Sequence, residues 1–408
     1  MAARYFIYFF LSLVIIGSVL FLPRFLSSSF FIGTFKKGRL GSKKALFFKG
    51  LVIVAGLSIL IVEVSINHTV PTAKADGETT NQKDSMQNMP GMTNTSQMAT
   101  SSTASTPPAT NYNLNKGEIK AENQAAVDIM NEKALKPTLL PDGTKKFTLK
   151  ASTFGWALYP GKTMEGWGFN KTVPGPLIRV KVGDKVEIDV SNQLTEPMTV
   201  HWHGFQVPND MDGVPGMPTP AIKPNGTFKY KFTVTNQMIG THWYHSHYDD
   251  DFQVDAGMYG AIIVGPKEDS SKNYDVDKLF ELGSTKVDGS DPENVFMING
   301  RSYPYTPQMT LKKGQRVLLR LVNASSENYH SVSLDGYSLK IVAEDGAPLP
   351  VKQTVNVVSI APSETMDVMF TANRTGDWWF HSTIGSEMEN PDDTQDQLGG
   401  MMTLIHVK

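Results

Sequence analysis

An all-β fold of two sandwich-like domains, preceded by two transmembrane helices and a disordered Met-rich linker, is what this sequence predicts, and three observations carry it. From about residue 136, short runs that alternate or stay apolar recur between Gly, Pro, Asn and Asp punctuation, the pattern of a β-sandwich or barrel. A looser acidic stretch at 267–292 breaks the series before a second one begins, which gives domains at 136–266 and 267–408. Ahead of both lie two apolar runs within 1–66 and a polar tract, 67–135, whose compositions differ from everything downstream.

The first apolar run, YFIYFFLSLVIIGSVLFL at 5–22, is uncharged, of about bilayer-spanning length, and ended by Pro23 and Arg24. The second, GLVIVAGLSILIVEVSI at 50–66, carries Glu63 near its outer end and has Lys49 placed to snorkel. Between them Arg24, Lys36, Lys37, Arg39, Lys43 and Lys44 stand without an acid. The positive-inside rule therefore puts this loop in the cytoplasm and everything after residue 66 outside, on the extracytoplasmic face of the cell membrane. A signal peptide is the competing reading, against which no small-residue cleavage site follows the first run.

The tract from 67 to about 118 is rich in Thr, Ser, Asn, Gln, Pro and Met and cannot bury enough apolar area to fold, which predicts a tether. Its Met86, Met89, Met92 and Met98 read either as thioethers placed to catch Cu(I) or as low-complexity sequence with no metal chemistry. A helical pattern at 119–134, with Ile119, Ala126, Ile129 and Met130 near one side, predicts a short packing helix.

Strands follow. KFTLKAS, LIRVKVGD, KVEIDVSN, TVHWHGF, TFKYKFTVT, THWYHSH and YGAIIVG build the first domain. VFMING, RVLLRLVNAS, SLKIVAED, TVNVVSIAP, TMDVMFTA, WWFHS and MMTLIHV build the second. The net charge of −2, from 38 basic and 40 acidic residues, leaves no dominant sign and argues against a nucleic-acid partner. Cysteine is absent, so the chain has neither a disulfide nor a thiolate to offer a metal.

Chemistry concentrates in TVHWHGF, 199–205, and GTHWYHSH, 240–247. Side chains alternate with period two along a strand, so His201 and His203 leave one face, as do His245 and His247. Four imidazoles on two strands can converge, and neutral imidazole is the commonest ligand for Cu, Zn, Fe and Ni. His242 has the opposite parity from His245 and reads as structural.

With their surroundings, WGFNKTVPGPLIRVKVGD, HWHGFQVPNDMDGVPG, GTHWYHSH and GMYGAIIVGP, these pairs resemble the first cupredoxin domain of a multicopper oxidase. INGRSYPYTP, LRLVNASSENYHSV, LKIVAEDGAPL and IAPSETMDVMF resemble, more weakly, the family's closing domain. The resemblance covers most of 145–266 and continues through 293–408. It implies two cupredoxin-like Greek-key β-sandwiches with copper as cofactor, His201 on the type 2 copper, and His203, His245 and His247 on the type 3 pair. It also implies a proton-delivery role for the acid of the DG turn, Asp212. Asp249, Asp250, Asp251 and Asp255 are left open between an acidic rim and a solvated loop.

The closing domain departs from the family pattern at its ligands. Where the family writes H-x-x-H-x-H-G, HSVSLDG at 330–336 keeps His330 but has Ser333 and Asp335 in two ligand positions. Where the family writes H-C-H and a further His, HSTIGSE at 381–387 keeps only His381, and Ser382 replaces the thiolate. His330 and Met401 match type 1 ligands and His381 matches a cluster ligand. A serine hydroxyl does not make a blue electron-transfer centre. The expectation is a membrane-anchored extracytoplasmic copper-binding protein of the family, its copper on the HWHG and HSH motifs. The alternative is a laccase- or cuprous-oxidase-type oxidoreductase, active only in a homo- or hetero-trimer whose other subunit, itself a multicopper oxidase, supplies missing ligands. A zinc or iron H-x-H enzyme on another β-scaffold is disfavoured by the surrounding motifs, and the two-domain nitrite reductases need a cysteine.

Overall fold

Period-two burial marks strands such as Thr227–Thr233, His330–Leu334 and Val357–Ile360 of the computed structural model, which describes residues 112–408 apart from 269–272, 288–289, 291 and 393–396. The two apolar runs within 1–66 and the Met-rich tract lie outside the described residues. Among the described residues no helix is long and apolar enough to cross a membrane.

Two sandwiches follow one another. In the first, a five-stranded sheet (Thr138–Leu139, Lys145–Tyr159, Lys162–Phe169, Lys185–Asn192, Thr227–Thr233) faces a four-stranded one (Ile178–Lys181, Tyr259–Gly265, Gly240–His245, His201–His203). In the second, six strands (Val295–Ile298, Val276–Thr285, Arg316–Asn323, Thr365–Thr371, Leu339–Glu344, Ala347–Val355) face five (Met309–Leu311, Met402–Val407, Gly376–Ser382, His330–Leu334, Val357–Ile360). The wiring repeats. Lys145–Tyr159 runs parallel to Lys185–Asn192 in the first domain, as Val276–Thr285 runs parallel to Arg316–Asn323 in the second. In the second sheets, His201 pairs with His245 and Ser333 pairs with His381. Ser333 and Asp335 therefore occupy in domain two the places of His201 and His203.

Each sandwich has its own core, one built around Phe147, Leu149, Trp202 and Tyr230, the other around Phe280, Leu319, Val332 and Phe380. A third apolar cluster joins them: Trp156, Leu158, Tyr259, Ala261 and Ile263 pack on Leu279, Val295, Met297 and Val322. This explains the unbroken apolar run YGAIIVG. Ile262 and Val264 face the first core while Ala261 and Ile263 face the second domain, so both faces of the strand are covered. Trp156 also donates its indole N–H to the Gly300 carbonyl across the junction at 2.9 Å.

Two sequence expectations change. The stretch 267–292, read as a loose break before the second strand series, itself contains Val276–Thr285, the opening strand of the second domain. Its pattern is broken by Glu281, a carboxyl wholly buried at the junction and held well above the usual carboxylate range by desolvation. The helix spans Lys116–Met130 rather than 119–134. Asn115 caps the Gly117 and Glu118 amides while Glu118 reaches back to the Asn115 amide, a reciprocal cap that fixes the start. Glu132, at φ 56°, ends it. The helix seats on both domains: Glu122 accepts from the Ala157 amide at 2.8 Å and from Arg301 at 3.0 Å.

Asp255 also departs from a rim position. It is buried, and Ser326 bonds both it and Glu293 across the junction. Burial, and then the Glu293 carboxyl beside it, push Asp255 up to about 9. A pKa raised above the unfolded value means the folded chain holds a proton that the unfolded chain releases. Stability is fully present below the ordinary Asp range and falls as pH rises toward about 9. Asp255→Asn is expected to flatten that decline, read as melting temperature against pH; an unchanged slope would remove the pair as its source.

Candidate metal centre

Strand pairing creates the centre. The register His201 with His245, Trp202 with Tyr244 and His203 with Trp243 puts Trp202 into the first core, edge-on to Tyr230, and turns the histidines to the other face. Glycines let neighbouring chain close on this face. Gly213, at φ +87°, brings the DG turn so near strand His201–His203 that a Cβ would stand 1.9 Å from the Val200 carbonyl oxygen. Gly204, at φ +81°, leaves room for the His242 ring.

Three rings gather around His201, whose centroid lies 5.6 Å from His203, 5.3 Å from His245 and 5.3 Å from His247. One nitrogen each from His201, His203 and His245 lie within 4.8 Å of one another, and His203 Nδ1 is 3.4 Å from His245 Nε2. The rings are oriented from behind. His201 Nδ1 lies 2.7 Å from the Asp212 carbonyl oxygen, and His245 Nδ1 lies 2.8 Å from that of Ser246. Such bonds place the ring proton on Nδ1 and leave Nε2 its lone pair. Asp212 thus meets His201 first through its backbone; its carboxylate Oδ2 is 3.6 Å from the same nitrogen.

Burial acts in the same direction. It depresses His201, drives His203 down to about 4 and His245 well below the usual histidine range, with the neighbouring imidazoles adding to the effect. Convergent imidazoles, two of them anchored by backbone carbonyls, are the donor set that copper, zinc, iron or nickel takes.

Several residues in or beside the two histidine motifs support the ligands without being ligands themselves. Trp243 stacks on His245 at 4.2 Å and donates to the Ser363 carbonyl of domain two at 3.2 Å. The buried Gln253 amide donates to the Pro197 carbonyl and its oxygen accepts from Ser246, clamping the HSH segment. Thr199 Oγ1 accepts from the His247 amide at 3.2 Å. The short helix Asp250–Asp255 directly after HSH turns Gln253 inward. His242 is buried, edge-on to Phe205, outside the group of ligands. Asp249, Asp250 and Asp251 lie at least partly exposed at the start of that short helix.

His381, His330 and Met401 sit in the second sandwich and do not join the four. His381 Nδ1 lies 2.7 Å from the Ser382 carbonyl oxygen, repeating the His245 arrangement, while its Nε2 meets Asp335 at 3.2 Å and Ser333 at 3.3 Å. His330 is bonded to Glu387 and Ser325 inside the domain, and Met401 is part of the core. His406 is bonded on the surface side to Asp377 and Gln308.

Comparison with known proteins follows this geometry. Two family models described as multicopper oxidase match residues 153–269 and 236–399. Laccase-1 of Cryptococcus neoformans is 29% identical over 281 residues, 59% of this chain and 44% of that protein. A copper resistance protein A homolog of Pseudomonas syringae is 29% identical over 267 residues, 51% of this chain and 44% of that protein. Both matches span less than half the relative's length. Among solved structures, a blue copper oxidase from Nitrosomonas europaea aligns at 32% identity with a TM-score of 0.60, covering 64% of this chain and 85% of that one.

Proposed function

The chain belongs to the multicopper oxidase family, a copper-binding family of cupredoxin-like fold, and on that premise we propose that the four-histidine face of domain one holds copper while domain two serves as its scaffold. The observation that carries this reading is the convergence of His201, His203 and His245 nitrogens within 4.8 Å, with His247 at ring distance. Bound copper supplies one-electron redox chemistry. The chain's residues hold it: Asp212 and Ser246 carbonyls fix two rings, Trp243 covers a third side, and Gln253 keeps the HSH segment in place. The names of the copper resistance relatives support a role in copper handling.

The same reading puts the protein at the cell membrane. The basic loop between the two N-terminal apolar runs supports two spans with the copper face outside, and the Met-rich tract between span and domain suits a disordered tether.

A second reading is favoured by one observation: His381 keeps the carbonyl-anchored pose of His245. In an assembly with another multicopper oxidase subunit, such faces could complete one another, giving an oxidoreductase of laccase or cuprous-oxidase type. Asp212, 3.6 Å from His201, is then the group placed to hold a proton beside the metal. Metal analysis with electron paramagnetic resonance on the copper-loaded full-length chain tests the first reading, which expects a type 2 Cu(II) signal. A copper-free protein ends it. Oxygen uptake with Cu(I) only in the presence of a co-purified paralogue supports the assembly, and uptake by the pure chain contradicts it.

A further inference from the structure

In domain two, three polar side chains meet where the family's type 1 copper would stand. His330 and Ser382 are wholly buried and Glu387 is 2% exposed. Glu387 Oε1 lies 3.0 Å from His330 Nδ1, and its Oε2 accepts from the Ser382 hydroxyl at 2.6 Å. His330 Nε2 is 2.7 Å from the Ser325 hydroxyl, and Ser382 Oγ accepts from the Ile384 amide at 3.1 Å. None of these side-chain atoms is among the buried polar atoms left without a partner. The turn Gly385–Met388 that carries Glu387 is held by Met401, whose amide donates to the Glu387 carbonyl at 2.7 Å.

The donors present do not fit a type 1 copper. That ion needs a thiolate and the lone pairs of two imidazoles, with a weak thioether contact. Here the one imidazole has both nitrogens engaged, and a carboxylate stands where a second imidazole would be. We propose that Glu387 is a lock: it converts the former electron-entry site into a closed hydrogen-bonded plug, and two substitutions, Ser382→Cys together with Glu387→His, are needed to reopen it as a copper site. Ser382→Cys alone fails because the carboxylate keeps His330 and opposes ionisation of the adjacent thiol, and the thiolate is the metal ligand. The second change removes that negative charge and supplies the missing imidazole, leaving a His2Cys set with the Met401 side chain in the same core.

The test uses the full-length chain loaded with Cu(II). Wild type and Ser382→Cys are expected to lack the intense visible Cu(II)–thiolate band, and the double variant to gain it with one extra copper per chain. A blue Ser382→Cys protein overturns the lock, as does a folded but colourless double variant with wild-type copper content. A second arm, His330→Gln, keeps the question decidable if the double variant does not fold. Its copper content should equal that of wild type, and a drop refutes the plug. Because the new band arises in domain two alone, it can appear or fail whether or not domain one binds copper, so the two readings are judged separately.

Discussion

Replacing His201 and His203 together by alanine is expected to strip the protein of copper. A four-ligand metal site is worth roughly 10–16 kcal/mol, so each imidazole contributes about 3 kcal/mol, or about two powers of ten in affinity, and the pair about four. These two are the choice because they share one three-residue strand whose intervening Trp202 supplies the core packing. Neither ring belongs to the hydrophobic core, so losing them leaves the fold intact. The apo variant should melt close to the apo wild type while its copper content, measured by metal analysis after equilibrium dialysis, falls to background. Retained copper with a normal melt would move the metal off this face.

Arg320→Leu is expected to destabilise the chain by about 3–5 kcal/mol, the cost of breaking a buried ion cluster from one side. Arg320 is 8% exposed and binds Asp277 twice, at 2.8 and 3.0 Å, Asp367 at 3.1 Å, Glu132 at 3.2 Å and the Thr241 hydroxyl at 2.8 Å. These partners come from the segment after the helix, from both domains and from the very strand that carries His245. Leucine would leave three buried carboxyls facing one another, with Arg179 the remaining cation at Glu132 and Asp277. Adding Asp277→Asn and Asp367→Asn to Arg320→Leu should recover a large part of the loss, since removing the whole cluster avoids stranded charge. Chemical denaturation midpoints measure both effects. An unshifted midpoint in the single variant would show that the cluster does not fasten the junction.

The legible part of this molecule was local. Alternation in TFKYKFTVT reappears as alternating burial along Thr227–Thr233, and the unbroken run of YGAIIVG as a strand covered on both faces. The spacing of His201 and His203, and of His245 and His247, was enough to put each pair on one face. Val276–Thr285 escaped because its polar Glu281 is buried against the neighbouring domain, so the strand lacks the contrast that reveals strands. Asp255 sat among acids that looked solvated until Glu293 and Ser326 closed over it.

Alone, the amino-acid order determined the strand periods, the paired imidazoles, and the missing sulfur at Ser382, because each is written in neighbours one or two residues apart. Tertiary structure alone decided which carbonyls anchor those imidazoles, that Trp243 and Gln253 brace them, and that Glu387 fills the bond left open beside His330. The distant pairs among them, Trp243 with Ser363, Gln253 with Pro197 and His330 with Glu387, come together through strand register and domain docking, and a hydrogen bond between residues dozens of positions apart leaves no trace in either one's local sequence.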